Sequence, residues 1–291
     1  MVEYIKMKQI FLKTVKKIKR YVKNKYITPP PLVAVINLHG VILAPSRGRS
    51  GLSLEEMVEA IELAFKLPKL KAVALSVNSP GGSPVQSELI YKRIRQLADK
   101  NKIPIYSFAE DVAASGGYWL ACAADEIFAS NSSIIGSIGV ISASFGFDEM
   151  IKRLGISRRV YTQGENKSIL DPFSPEKETD IQILKSVQAD IHESFKSLVR
   201  ERRKDKLKID EERLFSGEFW SGKTALELGL IDGIGDLYSV LQEKYGNRVK
   251  LKRMARPKSW LKKRLGIFMN VFTDTIEKKV IESSLWNRFG L

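Results

Sequence analysis

From Leu32 to Ala129 the chain alternates short apolar runs with stretches of helical periodicity, and this alternation restricts the fold more than any other feature. The β-branched run Leu32–Leu38 and the runs Ala72–Val77, Ile103–Phe108 and Glu126–Ala129 read as strands. Between them, Ser53 or a neighbour caps a helix with Leu54, Val58, Ile61 and Phe65 on one face. A second helix passes through Leu89–Leu97, and a third opens at Ser115 and reaches about Ala124. Strands joined by helices at this spacing form right-handed crossovers, so the expected class is α/β with a largely parallel sheet. Farther on, Arg159–Thr162 reads as a strand and 176–205 as a long charged amphipathic helix, with a helix-turn unit through Phe215–Asp232 closing the domain.

A chain of 291 residues that is 44% apolar has enough material for one large α/β domain with appendages. Its formal charge of +15 is unevenly placed. Residues 1–25 carry nine Lys/Arg against one acid, and residues 244–291 carry thirteen against three, which leaves the middle slightly acidic. That distribution argues against nucleic acid as a partner of the body and puts any electrostatic contact at the ends. Both ends are amphipathic. Tyr4, Met7, Phe11, Val15, Ile18 and Val22 recur at helical spacing among lysines, as do Leu261, Leu265, Phe268, Phe272, Ile276 and Val280 after Pro257. Such stripes suit an anionic membrane interface, or else pack on the body or on another subunit. With Thr28-Pro29-Pro30-Pro31 as a breaker, the expected division is a basic N-terminal helix and linker (1–28), a central domain (29–243) and a basic C-terminal extension (244–291). No signal-peptide h-region and no apolar run of ~18 residues is present, so the expected location is cytoplasmic, or peripheral on the inner face of the membrane. The single cysteine, Cys122, lies in an apolar run and reads as a buried structural thiol.

Two small-residue motifs end successive strands: Asn78-Ser79-Pro80-Gly81-Gly82 and Ala114-Ser115-Gly116-Gly117. Alone, the first is an ordinary turn and the second an ordinary helix cap. Together, at the carboxyl ends of parallel strands, they converge on one point. A serine hydroxyl beside aimed backbone N–H groups is what acyl transfer needs, as nucleophile and oxyanion donors. The base is less evident. His39 ends the first strand and His192 lies on a mixed helical face, and neither sits in a loop suited to the task, although spacing alone does not exclude a Ser-His-Asp triad. A lysine base must be neutral, which requires its pKa to fall by roughly three units from ~10.4 through burial. Most lysines here lie on charged faces; Lys167 instead occupies the irregular loop Gly164-Glu165-Asn166-Lys167, although Glu165 nearby would work against a lowered pKa.

These residues carry a resemblance. Val77–Gly82, Ala113-Ala114-Ser115-Gly116-Gly117-Tyr118-Trp119, Ala123–Ala129, Ile135–Val140, Gly164–Lys167 and Phe219–Gly222 with Leu228–Asp232 resemble the signal peptide peptidase A (protease IV) family and its half-length SohB-like members. The resemblance spans about residues 33–240. It implies a Clp-protease/crotonase-like superfold of repeated ββα units, and a Ser-Lys serine peptidase that needs no metal or cofactor. Carried over by position, Ser115 is the nucleophile, Lys167 the general base, Ser137 the hydroxyl that orients the lysine, and Gly82 and Gly116 supply the oxyanion-hole amides. The resemblance also implies a homo-oligomeric ring with serine and lysine meeting across a subunit boundary, and unstructured hydrophobic peptides, including residual signal peptides, as substrates. The basic amphipathic N-terminus departs from the membrane anchor common in the family, and the stretch Asp171–Pro175 is lengthened. The alternatives are a crotonase-type acyl-CoA enzyme, which needs no serine nucleophile, and an inactive scaffold on a membrane surface.

Overall fold

The computed structural model describes residues 7, 12–17, 29–45, 51–254 and 283–291. The chain runs β1 (Leu32–His39), α1 (Leu54–Phe65), β2 (Leu70–Ser79), α2 (Pro84–Asn101), β3 (Ile105–Ala114), α3 (Gly116–Ala121), β4 (Glu126–Ala129) and β5 (Ile134–Gly136). It continues through α4 (Asp148–Arg153), α5 (Glu178–Arg203), α6 (Glu211–Leu214), β6 (Phe219–Ser221), α7 (Gly222–Glu227), β7 (Gly233–Ile234), α8 (Leu237–Tyr245) and β8 (Lys250–Met254). Residues 12–17 are helical; the rest of the expected N-terminal helix, apart from Met7, and the stripe Leu261–Val280 lie outside the described residues.

β1 and β2 are buried along most of their length, as strands covered on both faces must be. They pair in parallel from Leu32 against Leu70 to His39 against Asn78, and the sheet reads β6-β5-β3-β2-β1-β8, with β4 and β7 branching from β3. Every pairing is parallel except β5 with β6. The expected α/β class with a largely parallel sheet is therefore the one formed. One face packs Ile36, Leu75 and Val77 against Ile61, Ile90, Ile94 and Trp119 of the helices; the other packs Val33, Val35 and Phe108 against Val240 and Leu241 of α8.

The helices begin where their caps put them. Ser53 Oγ accepts the Glu56 N–H at the start of α1, with Glu55 and Glu56 in the first turn, where the helix dipole favours acids. Met57, Ala60, Ile61, Ala64 and Phe65 form the buried stripe, a face rotated slightly from Leu54 and Val58. For α2, Ser83 caps, Pro84 occupies the first turn, and Lys102 closes the helix in the left-handed region.

Three elements differ from expectation. β3 does not stop at Phe108 but runs to Ala114, because Glu110 and Asp111 bulge outward and pairing resumes beyond them. Its first half pairs with β4 and its second with β5, so the sheet forks at the bulge. Arg159–Thr162 is not a strand; it is exposed and has no pairing partner among the described residues. The sheet also continues past residue 243, since β8 pairs in parallel with β1 from Lys250 to Met254.

Candidate active site

The fork delivers Ser115 to the end of β3, where the chain must turn at once into α3. Ser115 makes that turn at φ 52°, ψ −124°, a conformation L-residues occupy only when their surroundings enforce it. The enforcement is visible. Its N–H donates to the Gly136 carbonyl at 2.8 Å, and its own carbonyl accepts the Trp119 N–H at 3.0 Å. Its hydroxyl caps no backbone group of α3 and is left available.

The Gly81-Gly82 turn is pressed against this elbow. A Cβ on Gly81 would lie 2.7 Å from Ser115 Cβ, and one on Gly82 would overlap the Ile42 carbonyl. Both glycines also have positive φ, 102° and 136°, so two independent constraints exclude a side chain. The turn is pinned by the loop after β1: Ile42 N–H donates to the Gly81 carbonyl and Ser83 N–H to the Ile42 carbonyl, each at 2.8 Å. Sequence reasoning missed Ile42, whose only signal was an apolar residue shortly after a strand-ending glycine. On the other side, a Cβ on Gly116 would lie 2.5 Å from Ser87 Oγ. A small cavity beside Ser115 is bounded by Gly82, Gly116, Trp119, Val140, Ile191 and Phe195. Trp119 and Phe195 stack at 4.8 Å, making that wall apolar and rigid. The i, i+4 pair Ile191 and Phe195 on α5 was the sequence signal for this wall.

Ser137 lies next to the elbow. β3 and β5 pair up to Ala114 against Gly136, which leaves Ser115 and Ser137 side by side one step beyond the ladder. Ser137 is buried, with φ 52°, and its N–H donates to the Glu218 carbonyl at 2.7 Å. The following residue, Ile138, is held by His192, whose Nε2 lies 3.2 Å from its carbonyl oxygen. Burial, then the nearby Lys196 charge, push the His192 pKa below its ordinary value. His39 is occupied by Ser76 Oγ at 2.8 Å and by Glu110 at 3.3 Å. Neither histidine is hydrogen-bonded to Ser115, so the chain assembles no Ser-His pair at the elbow. Burial drives the Cys122 thiol up to about 12, which removes it as a nucleophile.

Lys167 stands apart from this cluster. It sits exposed in a loop held by its own N–H to the Gly164 carbonyl at 3.2 Å, and it does not line the cavity beside Ser115. No described residue forms an ion pair with it, Glu165 included. The arm that carries it, from Gly139 to Thr179, contains no buried residue. The arm is nevertheless organised: Arg158 Nε donates to Asp171 at 2.7 Å and stacks over Phe173, which lies against Phe147. The structure thus brings Gly82, Ser115, Gly116 and Ser137 together and leaves Lys167 outside.

Comparison with known proteins places the chain. The profile of peptidase family S49 matches residues 97–251. A Brucella melitensis protein named Na(+)/H(+) antiporter NhaA is 47% identical over 289 residues, 94% of this chain and 39% of that protein. The chloroplastic serine protease SPPA of Arabidopsis thaliana is 30% identical over 226 residues, covering 73% of this chain and 32% of its own. A putative protease of Synechocystis is 30% identical over 233 residues, 77% of this chain and 82% of its own. The chain spans about two fifths or less of the first two relatives, and among its described residues no helix is long and apolar enough to cross a membrane. The chain belongs to peptidase family S49.

Proposed function

We propose that this S49 member is a serine endopeptidase in which Ser115 attacks the peptide carbonyl and Lys167, from a neighbouring copy of the chain, takes the proton. The observation that carries this reading is the enforced backbone of Ser115, with an unused hydroxyl opposite the Gly82 turn. Strain of about 1–3 kcal/mol at one residue persists only where the surroundings over-determine it, and such residues cluster at reactive centres. The amides of Gly82 and Gly116 are the donors for the oxyanion, whose stabilisation is commonly the largest single contribution to acyl transfer.

In the first step Lys167 Nζ, uncharged, accepts the Ser115 hydroxyl proton while Oγ bonds to the substrate carbonyl carbon. The resulting ammonium returns that proton to the departing amine, leaving an acyl ester on Ser115. Water then gives a proton to the same lysine and attacks the ester carbon; the C–Oγ bond breaks, the lysine passes that proton to Ser115 Oγ, and the acid is released. Ser137 orients the amine by hydrogen bonding. A neutral lysine requires desolvation, and the exposed arm of a single chain does not provide it. Burial of the arm against a second copy would, and its unburied apolar residues, Phe145 and Tyr161 at 80% and 90% exposure, favour that contact. The assembly on this reading is a homo-oligomeric ring with sites at its subunit boundaries.

The apolar cavity beside Ser115 fits a small apolar side chain of an extended peptide, such as a residual signal peptide. The basic ends hold the enzyme at the anionic inner face of the membrane, a contact that flotation with anionic vesicles tests. The catalytic reading is tested with Ser115→Ala and Lys167→Ala. Each is expected to lower peptide cleavage by several orders of magnitude, as loss of either half of a nucleophile–base unit does, without changing the fold. Turnover retained by either purified variant contradicts the dyad. A fluorophosphonate adduct on Ser115 separates this enzyme from an acyl-CoA enzyme of the same fold.

A further inference from the structure

The segment 283–291 returns to the nucleophile strand. Residues 283–287 form a helical turn, and the chain then folds so that Phe289 N–H donates to the Trp286 carbonyl at 2.9 Å. Within this segment only Phe289 is buried, at 9% exposure. It packs with Val112 and Ala114 of β3, while Ile134 of β5 and Trp286 border the cluster. Its ring also meets Phe219 of β6 edge-on, 5.2 Å between centroids.

The position of this knob is specific. Ala114, Gly136 and Phe219 are paired across β3, β5 and β6, so they form one transverse row of the sheet. Ser115 and Ser137 follow that row directly. Ala113 faces the main core with Trp119, so the alternation of a strand turns Ala114 and Phe289 to the opposite face. The chain leaves the sheet at β8, at the end of the strand order opposite β6, yet residues 283–291 are seated at the β3–β5–β6 end.

We propose that residues 283–291 clamp the back of the nucleophile strand, with Phe289 as a positioning residue for the Ser115 elbow. The inference rests on the reading of Ser115 as nucleophile. The strained elbow depends on the Ser115 N–H to Gly136 carbonyl bond, and that bond depends on the β3–β5 register. β5 and β6 are three residues each, too short to hold that register firmly by themselves. Phe289 touches all three strands of the row. Without it, Val112 and Ala114 face water and the elbow relaxes toward an ordinary backbone conformation, carrying Oγ and the Gly116 amide out of alignment.

The test compares the 291-residue wild-type chain, Phe289→Ala, Phe289→Leu and Ser115→Ala by two readouts. The first is hydrogen exchange of the amides at 112–117 and 134–138, with β1 as internal control. The second is the rate of covalent capture of Ser115 by a fluorophosphonate. Phe289→Ala is expected to speed exchange in those two stretches but not in β1 and to slow capture about tenfold, with kcat for a peptide falling and KM unchanged. Phe289→Leu should recover most of the rate. Unchanged exchange at 112–117 with wild-type capture overturns the clamp. If Phe289→Ala also loosens β1, Phe289→Leu decides: capture recovered together with protection at 112–117 and 134–138 supports the clamp, and capture still as slow as in Phe289→Ala with those stretches protected contradicts it. Should wild type give no adduct that Ser115→Ala abolishes, the nucleophile reading fails, while the exchange data still judge the clamp.

Discussion

The elbow around Ser115 and the arm carrying Lys167 are built on opposite principles. At the elbow, Gly81, Gly82 and Gly116 let backbones approach so closely that a methyl group would collide, and the groups are fixed before substrate arrives. Along the arm, from Gly139 to Thr179, no apolar residue is buried, and Ile141, Phe145, Leu154 and Tyr161 face solvent. The close-packed half is complete within a chain. The other half has the surface of an unfinished interface. On the proposed reading, the contrast teaches that nucleophile and oxyanion donors depend on folding, whereas the base depends on assembly.

The sharpest way to break the contrast is to disturb the rigid half alone. Gly82→Ala puts a Cβ into the Ile42 carbonyl at a backbone angle that disfavours side chains. It is expected to lower kcat by about 10²–10³, the effect of losing an oxyanion donor, while the oligomer measured by sedimentation stays intact. A variant with wild-type kcat would remove Gly82 from the site. The converse change is in the arm. Phe145→Asp with Tyr161→Asp should leave the melting of the isolated chain nearly unchanged, because exposed positions contribute within about 0.5 kcal/mol. Assembly and turnover should fall together; turnover surviving in a monomer would show that the arm needs no partner. The smallest effect concerns His192. Its pKa is lowered in the folded chain, so the neutral form is favoured there; the associated stability is full above the ordinary histidine value of ~6.5 and is lost as pH falls below it. Thermal melting of His192→Gln should lose part of this acid-side decline, and an unaltered pH profile would exclude His192 as its source.

How much of this was legible in the sequence follows the same division. β1, β2 and α2 were readable because burial on both faces, a serine cap and an early proline are local signals. Ser115 and Gly82 were readable because tight turns restrict residue type. β3 was read too short because Glu110 and Asp111 interrupt its apolar run, and a bulge that ejects two acids looks from sequence like a strand end. Arg159–Thr162 has strand-forming residues but no pairing partner among the described residues, so propensity found nothing to pair with. β8 was assigned to the basic extension because Lys250, Lys252 and Arg253 outweigh its alternation, although an edge strand with one solvated side tolerates such charges. The packing of Phe289 on β3 joins residues more than 170 positions apart and left no local trace.

Mixing the two variants expected to be inactive tests the central claim most directly. Ser115→Ala and Lys167→Ala are combined, dissociated and reassembled, and peptide cleavage is followed. If serine and lysine come from different copies, some boundaries in the mixed assembly join an intact Ser115 to an intact Lys167, and about a quarter of wild-type activity returns. If the mixture stays as inactive as each parent although hetero-assembly is demonstrated, the site is completed within one chain and the account of the arm is wrong.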